Sequence, residues 1–321
     1  MKLRDIKKAF HKLGYRSRDD FTYLLWTIFR AVLIMGIGYI IIYPLLVNFF
    51  TSIMSEQDLF DRTVRWIPRA FNWDNYAVVW EAMEYPRALW NSFKISSLVA
   101  LLQLMSATII GYGFARYEFR FNNVIFALVI FTLIVPAQTI IVSLYINFRF
   151  FDLFGLIPGG GINLLNSYWP FILMSITGVG LRGGLFIFIM RQFFKGMPRQ
   201  LEEAAYIDGA GPFQAFLRVM VPGARPGMIV VFLFSFVWQW NSHYLTNVLF
   251  NDLFTLTSAL DGLIGSVDSL LGSAFGIYNN PWVSTIYNNT GMLLFAAPLI
   301  IVYMFLQRYF IESVQRTGIV G

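Results

Sequence analysis

The sequence predicts an all-α membrane protein with six transmembrane helices. Of its 321 residues 57% are apolar, only 13% are charged, and the apolar residues gather into runs of twenty or more. Soluble chains have about 45–50% apolar and about 25% charged residues, so this chain has more hydrophobic surface than one globular core could bury. The runs lack the alternation of outer-membrane strands, which favours helices over a barrel.

Six segments are long enough to cross a hydrocarbon core of about 30 Å, which takes about 20 helical residues. They cover approximately residues 21–50, 89–115, 124–148, 168–190, 228–250 and 286–306. The first is too long for the apolar region of a signal peptide and has no small-residue cleavage site after it, so we expect a retained span. Residues 1–20 are predicted to form a basic arm, and residues 21–321 the transmembrane domain.

Basic residues concentrate on one side of the predicted bundle. The arm, the loop after the second span, the segment between the fourth and fifth spans and the tail hold most of the 24 Lys and Arg residues. The loop before the sixth span has none and carries Asp252, Asp261 and Asp268 instead. Because cytoplasmic loops are enriched in Lys and Arg, both termini are predicted to be cytoplasmic. The arm is expected to contact anionic lipid headgroups rather than nucleic acid.

Several kinds of chemistry find no support in the sequence. Cysteine is absent and only His11 and His243 could supply imidazole, which argues against disulfides, thiol catalysis and a metal site. No Gly-Lys pair occurs, so the chain has no P-loop and is not expected to be an enzyme or to hold a cofactor. A GxGxxG match at Gly178, Gly180 and Gly183 lies in an apolar span with no strand before it. It therefore favours close helix packing or local unwinding over dinucleotide binding.

The segment 196–226, between the fourth and fifth spans, is predicted to form a helix-turn-helix at the membrane surface. Glu202 and Glu203 fall in or near the first turn of a short helix, where the helix dipole favours carboxylates. The run 208–211, Asp-Gly-Ala-Gly, should break this helix, and Pro212 is suited to open the next one.

This segment resembles the EAA loop of ATP-binding-cassette (ABC) importer permeases. The family pattern is Glu-Ala-Ala, three residues, Gly, nine residues and Ile-x-Leu-Pro. Glu203-Ala204-Ala205, Gly209 and Pro222 keep this spacing, while Val219 and Val221 replace Ile and Leu. The resemblance extends to the carbohydrate branch, of the maltose-permease G-subunit type, through Asn91-Ser92, residues 113–119, Val135-Pro136, residues 184–194 and Trp240-Asn241.

The resemblance implies a permease subunit of an importer that moves a sugar or oligosaccharide across the cytoplasmic membrane. It implies as partners a second homologous permease in a heterodimer, two ATPase subunits that bind ATP and Mg²⁺, and an extracytoplasmic solute-binding protein. Glu203 would make a polar contact with an ATPase, Ala204 and Ala205 the close fit, and Gly209 the turn. The residues implied in ATPase coupling are Glu202, Glu203, Ala204, Ala205, Asp208, Gly209 and Pro222.

Polar groups inside the spans are the candidates for a solute pathway. Arg182, near the middle of the fourth span, could face the translocation cavity, pair with the second permease or extend to the membrane surface. In the fifth span aromatic rings and an amide either bind a sugar or form an interfacial belt. These residues are Trp238, Trp240, Asn241 and Tyr244.

Three other functions are weighed against this one. An ion-coupled secondary transporter generally needs intramembrane Asp or Glu, and none of the 18 acidic residues falls well inside a predicted span. An ABC permease for a non-sugar solute remains open. A non-transporting signalling scaffold would leave the EAA spacing unexplained.

Overall fold

A computed structural model of the chain describes residues 3–64, 66–152, 155–157, 161–180, 182–272 and 280–318, with side chains between residues 22 and 307. Within these ranges the chain is mostly helical, and Phe151 and Ile162 form an isolated antiparallel bridge. A π-helical turn, Phe216–Met220, separates α10 from α11. The helices are α1 (Leu3–Ser52), α2 (Glu56–Phe60), α3 (Asp74–Ala82), α4 (Tyr85–Arg116), α5 (Asn122–Phe131), α6 (Ala137–Arg149), α7 (Trp169–Ile176), α8 (Gly183–Gly196), α9 (Gln200–Ile207), α10 (Pro212–Ala215), α11 (Val221–Gly223), α12 (Arg225–Trp240), α13 (His243–Leu249), α14 (Leu256–Asp261), α15 (Leu263–Leu271) and α16 (Pro281–Gly318).

Three described helical segments are long and apolar enough to cross a membrane: Thr22–Ser52, Tyr85–Arg116 and Pro281–Gln307. A fourth candidate is the pair Pro212–Gly223 and Arg225–Trp240, which is bent by 74°. These segments overlap the first, second, sixth and fifth predicted spans. The helical membrane class is thus confirmed, and a bundle of six spans remains a prediction.

The other predicted spans each contain two helices rather than one. Residues 124–148 are divided between α5 and α6 by a turn that ends at Pro136, a residue that lacks the N–H a helix needs. Residues 168–190 are divided between α7 and α8, and Gly178 and Arg182 in this break have φ values of 76° and 59°. Residues with left-handed backbone angles end a right-handed helix. A hydropathy profile does not detect such backbone angles.

The fifth predicted span is interrupted near its end. α12 ends at Trp240 and α13 begins at His243, so Asn241 and Ser242 separate the two helices. The backbone N–H of Asn241 still donates to Val237 O at 3.1 Å, whereas that of Ser242 donates to Gln239 O at 3.0 Å. This tighter pattern closes the helix, and residues 228–250 are therefore not one continuous helix.

α4 is the centre of the fold and packs against α7, α8 and α12. Its buried face carries small residues, including Ala88, Ser92, Ser96, Ala100, Ala107 and Gly111. Small residues let helix backbones approach closely inside a membrane. A Cβ atom on Gly111 would lie 2.9 Å from the backbone nitrogen of Arg191 in α8. The spacing of these residues explains why α8 and α12 pack on α4.

α1 lies at the edge of the fold and contacts α16. The most apolar part of Thr22–Ser52 has none of its residues buried within the chain, as expected for a helix covered by lipid. Its end is held by Asn75, which donates to the carbonyl oxygens of Ser52 and Met54, each at 2.9 Å. These bonds satisfy carbonyl groups that the end of a helix leaves unpaired.

Candidate functional site

The segment that resembles the EAA loop lies at the side of the molecule where α4 and α8 end, which we call the α9 side. α9 ends at Ile207, and Gly209 follows with a φ of 82°. The N–H of Gly209 donates to Tyr206 O at 3.0 Å and that of Ala210 to Ala205 O at 2.9 Å. This is a Schellman motif, which usually requires glycine at the left-handed position. α9 thus ends before the run 208–211 and α10 begins at Pro212, whereas the assignment of this segment as an EAA coupling hairpin stays a prediction.

The two faces of α9 divide the residues predicted to couple to an ATPase. Glu202 and Ala205 are each only 8% exposed and face the rest of the chain. Glu203 and Ala204 are exposed, as is Ile207, at 86%. Residues three apart share a helix face, whereas neighbouring residues do not. Glu202 and Ala205 therefore contact this chain itself, whereas Glu203 and Ala204 are accessible to a partner. The role of these residues in ATPase coupling stays a prediction.

Glu202 is held by two residues of the last turn of α4. The hydroxyl of Tyr112 donates a hydrogen bond to Glu202 Oε1. Arg116 Nε lies 3.1 Å from Glu202 Oε2, and both charged side chains are at least nine-tenths buried. Arg116 Nη2 also donates to the carbonyl oxygen of Met197 at 2.8 Å. Tyr112, Arg116 and Glu202, which we call the α4–α9 clamp, thus tie the coupling segment to the central helix.

Sequence reasoning missed the partners of Glu202. Tyr112 and Arg116 are four residues apart and therefore share one helix face, and both lie at the end of the second predicted span. Arg116 lies within residues 113–119, which carry part of the family resemblance. A buried carboxylate requires a charged or hydrogen-bonding partner. The helix face that carries both Tyr112 and Arg116 could have indicated such a partner.

The chain between α9 and α12 turns back through the π-helical segment. Ala215 and Met220 are buried, whereas Phe213 and Leu217 are exposed. A π-helical turn has more residues per turn than an α-helix, so the apolar residues do not form one continuous stripe. Pro222 lies in α11, and the following Gly223 packs against Met197, whose Cε atom would lie 2.3 Å from an added Cβ. Asp208 is the exposed C-cap residue of α9.

Two of the five predicted pathway residues come together. Arg182, in the break between α7 and α8, lies over the Trp238 ring of α12, with its guanidinium carbon 4.3 Å from the ring centroid. Trp238 stacks in turn on Phe234, at 5.5 Å between centroids. Because Arg182 is exposed, this pair presents a cation and aromatic faces to the surroundings of the subunit.

The other three predicted pathway residues lie apart from this pair. Trp240 is 3% exposed and packs against Phe236 and Phe295, so it belongs to the core rather than to an open pathway. The amide of Asn241 donates to Val237 O at 2.7 Å and closes the end of α12. Tyr244 is exposed on α13.

Buried polar residues surround the break between α7 and α8. Ser235 Oγ donates to Gln103 Oε1 at 2.5 Å, and Ser106 Oγ donates to Ser175 O at 2.6 Å. A Cβ atom on Gly180 would lie 2.3 Å from Gln103 Nε2, and one on Gly183 would lie 2.2 Å from the carbonyl oxygen of Gly178. Gly178 and Gly180 lie in the break and Gly183 begins α8, so the local unwinding and the close packing that the sequence left as alternatives occur together. In the part of the chain that the structure describes, no His, Asp or Glu residues gather to hold a metal ion.

This fold is shared with a solved transporter. The chain superposes with a TM-score of 0.66 on a chain of a bacterial ABC transporter involved in the import of the acidic polysaccharide alginate. The match covers 89% of this chain and 96% of that one, at 22% sequence identity. Residues 107–316 match the family described as the inner membrane component of binding-protein-dependent transport systems. The chain belongs to this family.

Relatives within the family differ in the solutes that their names give. The arabinooligosaccharides transport system permease protein AraQ of Bacillus subtilis (strain 168) is 27% identical over 257 residues, 79% of this chain and 81% of the relative. The sn-glycerol-3-phosphate transport system permease protein UgpE of Yersinia pestis bv. Antiqua (strain Antiqua) is 26% identical over 290 residues. That match covers 88% of this chain and 94% of UgpE.

Proposed function

We propose that the chain is a permease subunit of an ABC importer that moves a sugar or oligosaccharide across the cytoplasmic membrane. It works with a second homologous permease, two ATPase subunits that bind ATP and Mg²⁺, and an extracytoplasmic solute-binding protein. Both termini are cytoplasmic, in keeping with the basic residues of the α9 side. The observation that carries the proposal is α9, which has one face fixed to the permease and one face exposed.

The exposed face of α9 suits a protein partner. Three apolar or aromatic side chains are exposed on the same helix as the exposed carboxylate of Glu203. They are Leu201, Tyr206 and Ile207. Exposed apolar patches with polar rims mark interaction sites. In this proposal the ATPase receives Ile207 and Ala204 in a cleft, and Glu203 pairs with a basic group at its edge.

The buried face of α9 would carry motion into the membrane domain. The α4–α9 clamp joins α9 to α4, and α4 contacts α7, α8 and α12. Packed interiors transmit displacement because they deform little. An ATPase that shifts α9 would therefore shift the helices around Arg182 and Trp238.

Arg182 and Trp238 are the best-supported contacts for the solute. An aromatic face can pack on the apolar face of a sugar ring, while a guanidinium offers five N–H donors in a fixed plane. Among the described residues no carboxylate lies within 4.0 Å of Arg182. An arginine near the middle of a membrane span, as predicted for Arg182, is expected to face a water-filled cavity or a partner subunit.

The same guanidinium supports a second candidate, a phosphorylated polyol or another anionic solute. Arginine binds phosphate and carboxylate with two parallel hydrogen bonds, and Arg182 lacks such a partner in the described chain. The name of UgpE gives sn-glycerol-3-phosphate as the solute of that relative. This candidate keeps the same coupling segment and differs only in the solute.

The test is a charge reversal on the exposed face of α9. The complex with its ATPase, purified from cells that express Glu203→Lys, should lose ATPase subunits and solute uptake while the permease stays at normal abundance in the membrane. Glu81→Lys, a charge reversal at an exposed residue of α3 outside the coupling segment, is the matched control. Retention of the ATPase at the wild-type level in Glu203→Lys would contradict the proposal.

A further inference from the structure

A cavity of about 580 Å³ lies on the α9 side between the end of α4, the start of α5 and the end of α8. Four cationic side chains line it, Arg116, Arg191, Lys195 and Arg199, together with the carboxylate of Glu118. Arg191 and Lys195 are four residues apart on α8 and therefore share one of its faces. Arg199, at the start of α9, lines the same cavity.

Three of these charges have no counter-ion among the described residues. Arg116 is paired with Glu202, but over the described ranges no carboxylate lies within 4.0 Å of Arg191, Lys195 or Arg199. The Nε atom of Arg191 is buried without a hydrogen-bond partner in the same part of the structure. Its guanidinium lies 4.0 Å from the centroid of Phe126, which fixes its position. Like charges gathered around one cavity repel one another, and an anion in the cavity would reduce this repulsion.

The position of the cavity indicates which anion is available. The cavity opens where the long apolar helix α4 ends, and Tyr117, Phe119 and Phe121 on its rim are exposed. Aromatic and basic side chains together are typical of the depth of lipid headgroups. Val124 and Leu128 of α5 are exposed close by, where they would lie along an acyl chain.

We propose that this cavity binds the phosphate headgroup of an anionic phospholipid from the leaflet on the α9 side. Arg191 supplies two donors to the phosphate, and Lys195 and Arg199 supply further positive charge. Arg116 belongs both to the cavity lining and to the α4–α9 clamp, so the lipid lies against the residues that hold α9. The proposal needs the membrane setting of the family and does not depend on the solute or on the ATPase contact.

The experiment measures lipid retention by the full chain in its complex. Complexes are delipidated in detergent, and binding of phosphatidylglycerol is followed by native mass spectrometry, with phosphatidylcholine as the neutral comparison. The double variant Arg191→Gln and Lys195→Gln should bind phosphatidylglycerol roughly 30-fold more weakly, since each interfacial cation contributes about fivefold. The variant Arg191→Lys and Lys195→Arg, which keeps both charges, should retain most of the binding and shows that the site survives substitution.

The double variant Arg218→Gln and Arg225→Gln is the control, because both arginines are exposed on the α9 side and lie outside the cavity. It should bind the lipid as the wild type does. Equal loss in this control, or no loss in the cavity variant, would overturn the proposal. Displacement of the lipid by millimolar inorganic phosphate or glycerol phosphate would assign the cavity to a soluble phosphate instead. Loss of the ATPase with unchanged lipid binding would assign the cations to a subunit interface.

Discussion

Tyr112 and Glu202 are 90 positions apart in the sequence, and the tyrosine hydroxyl donates a hydrogen bond to the glutamate carboxylate. Arg116 forms an ion pair with the other carboxylate oxygen of Glu202. Among the described residues, these two contacts of Glu202 are the polar contacts that join α9 to α4. α9 therefore has two glutamates with opposite roles. Glu202 positions the helix, while Glu203 is free to meet a partner.

The first prediction compares these two glutamates. Glu202→Gln removes the charge that neutralises a buried arginine, and breaking a buried pair from one side costs about 3 kcal/mol or more. Glu203→Gln changes an exposed residue and should alter stability by no more than about 0.5 kcal/mol. Thermal unfolding of the two purified variants in one detergent is the measurement. Equal midpoints would show that the clamp does not hold α9.

The second prediction concerns the turn after α9. Gly209 has a φ of 82° and an added Cβ would meet no atom within 4 Å, so only the backbone conformation requires glycine. Gly209→Val should cost about 1–3 kcal/mol of local strain and lower the ATP-driven uptake rate. Gly211→Ala is the control because Gly211 has a φ of −72° and also has free space around it. If both variants transport equally well, the left-handed turn is not required for coupling.

The third prediction tests the break between α7 and α8. A Cβ atom on Gly183 would lie 2.2 Å from the backbone oxygen of Gly178, which cannot move without opening the turn. Gly183→Ala should therefore destabilise the protein by about 1–3 kcal/mol. Gly113→Ala, in the open part of α4, should stabilise it by about 1 kcal/mol because alanine is the better helix former. Unfolding midpoints that shift in the same direction would contradict this account.

Hydropathy predicted the segments that are long and apolar enough to cross a membrane, and it missed the breaks within the third, fourth and fifth predicted spans for a physical reason. A span is recognised by its apolar composition, which lipid requires along its whole length. A break needs only a few residues with left-handed backbone angles, as at Gly178 and Arg182, and hydropathy carries no information on backbone angles. Pro136 was a visible signal for the break before α6, although proline is tolerated inside membrane helices when neighbours compensate for the lost bond.

The candidate site was predicted in part. The helix-turn-helix around Gly209 followed from local rules of helix capping, because a Schellman turn is determined by residues close together in sequence. The direction of each side chain depended on distant residues. The side chain of Glu202 faces the interior, where Tyr112 donates a hydrogen bond to it and Arg116 forms an ion pair with it. The Trp240 ring faces the core, where Phe295 of α16 packs against it. Tertiary packing determines such pairings, and the sequence pattern of one segment does not show which distant residues will contact it.

The last prediction separates a neutral sugar from an anionic solute at Arg182. Arg182→Lys keeps the charge but loses the planar group that stacks on Trp238 at 4.3 Å, and Arg182→Gln loses the charge while keeping hydrogen-bond donors. A neutral sugar needs donors and an aromatic face, so its uptake should fall less in Arg182→Gln than in Trp238→Leu. An anionic solute needs the charge, and removing one charge-assisted contact of about 1.5–3 kcal/mol should lower its uptake by roughly 10- to 150-fold in Arg182→Gln.

The measurement is initial uptake of labelled arabinooligosaccharide and of labelled glycerol phosphate by cells that express each variant with its partner subunits. Phe234→Leu, which removes the ring that stacks on Trp238 at 5.5 Å between centroids, controls for general disturbance of the stack. If all the variants lose uptake of both solutes equally, Arg182 and Trp238 hold the subunits together rather than contact the solute.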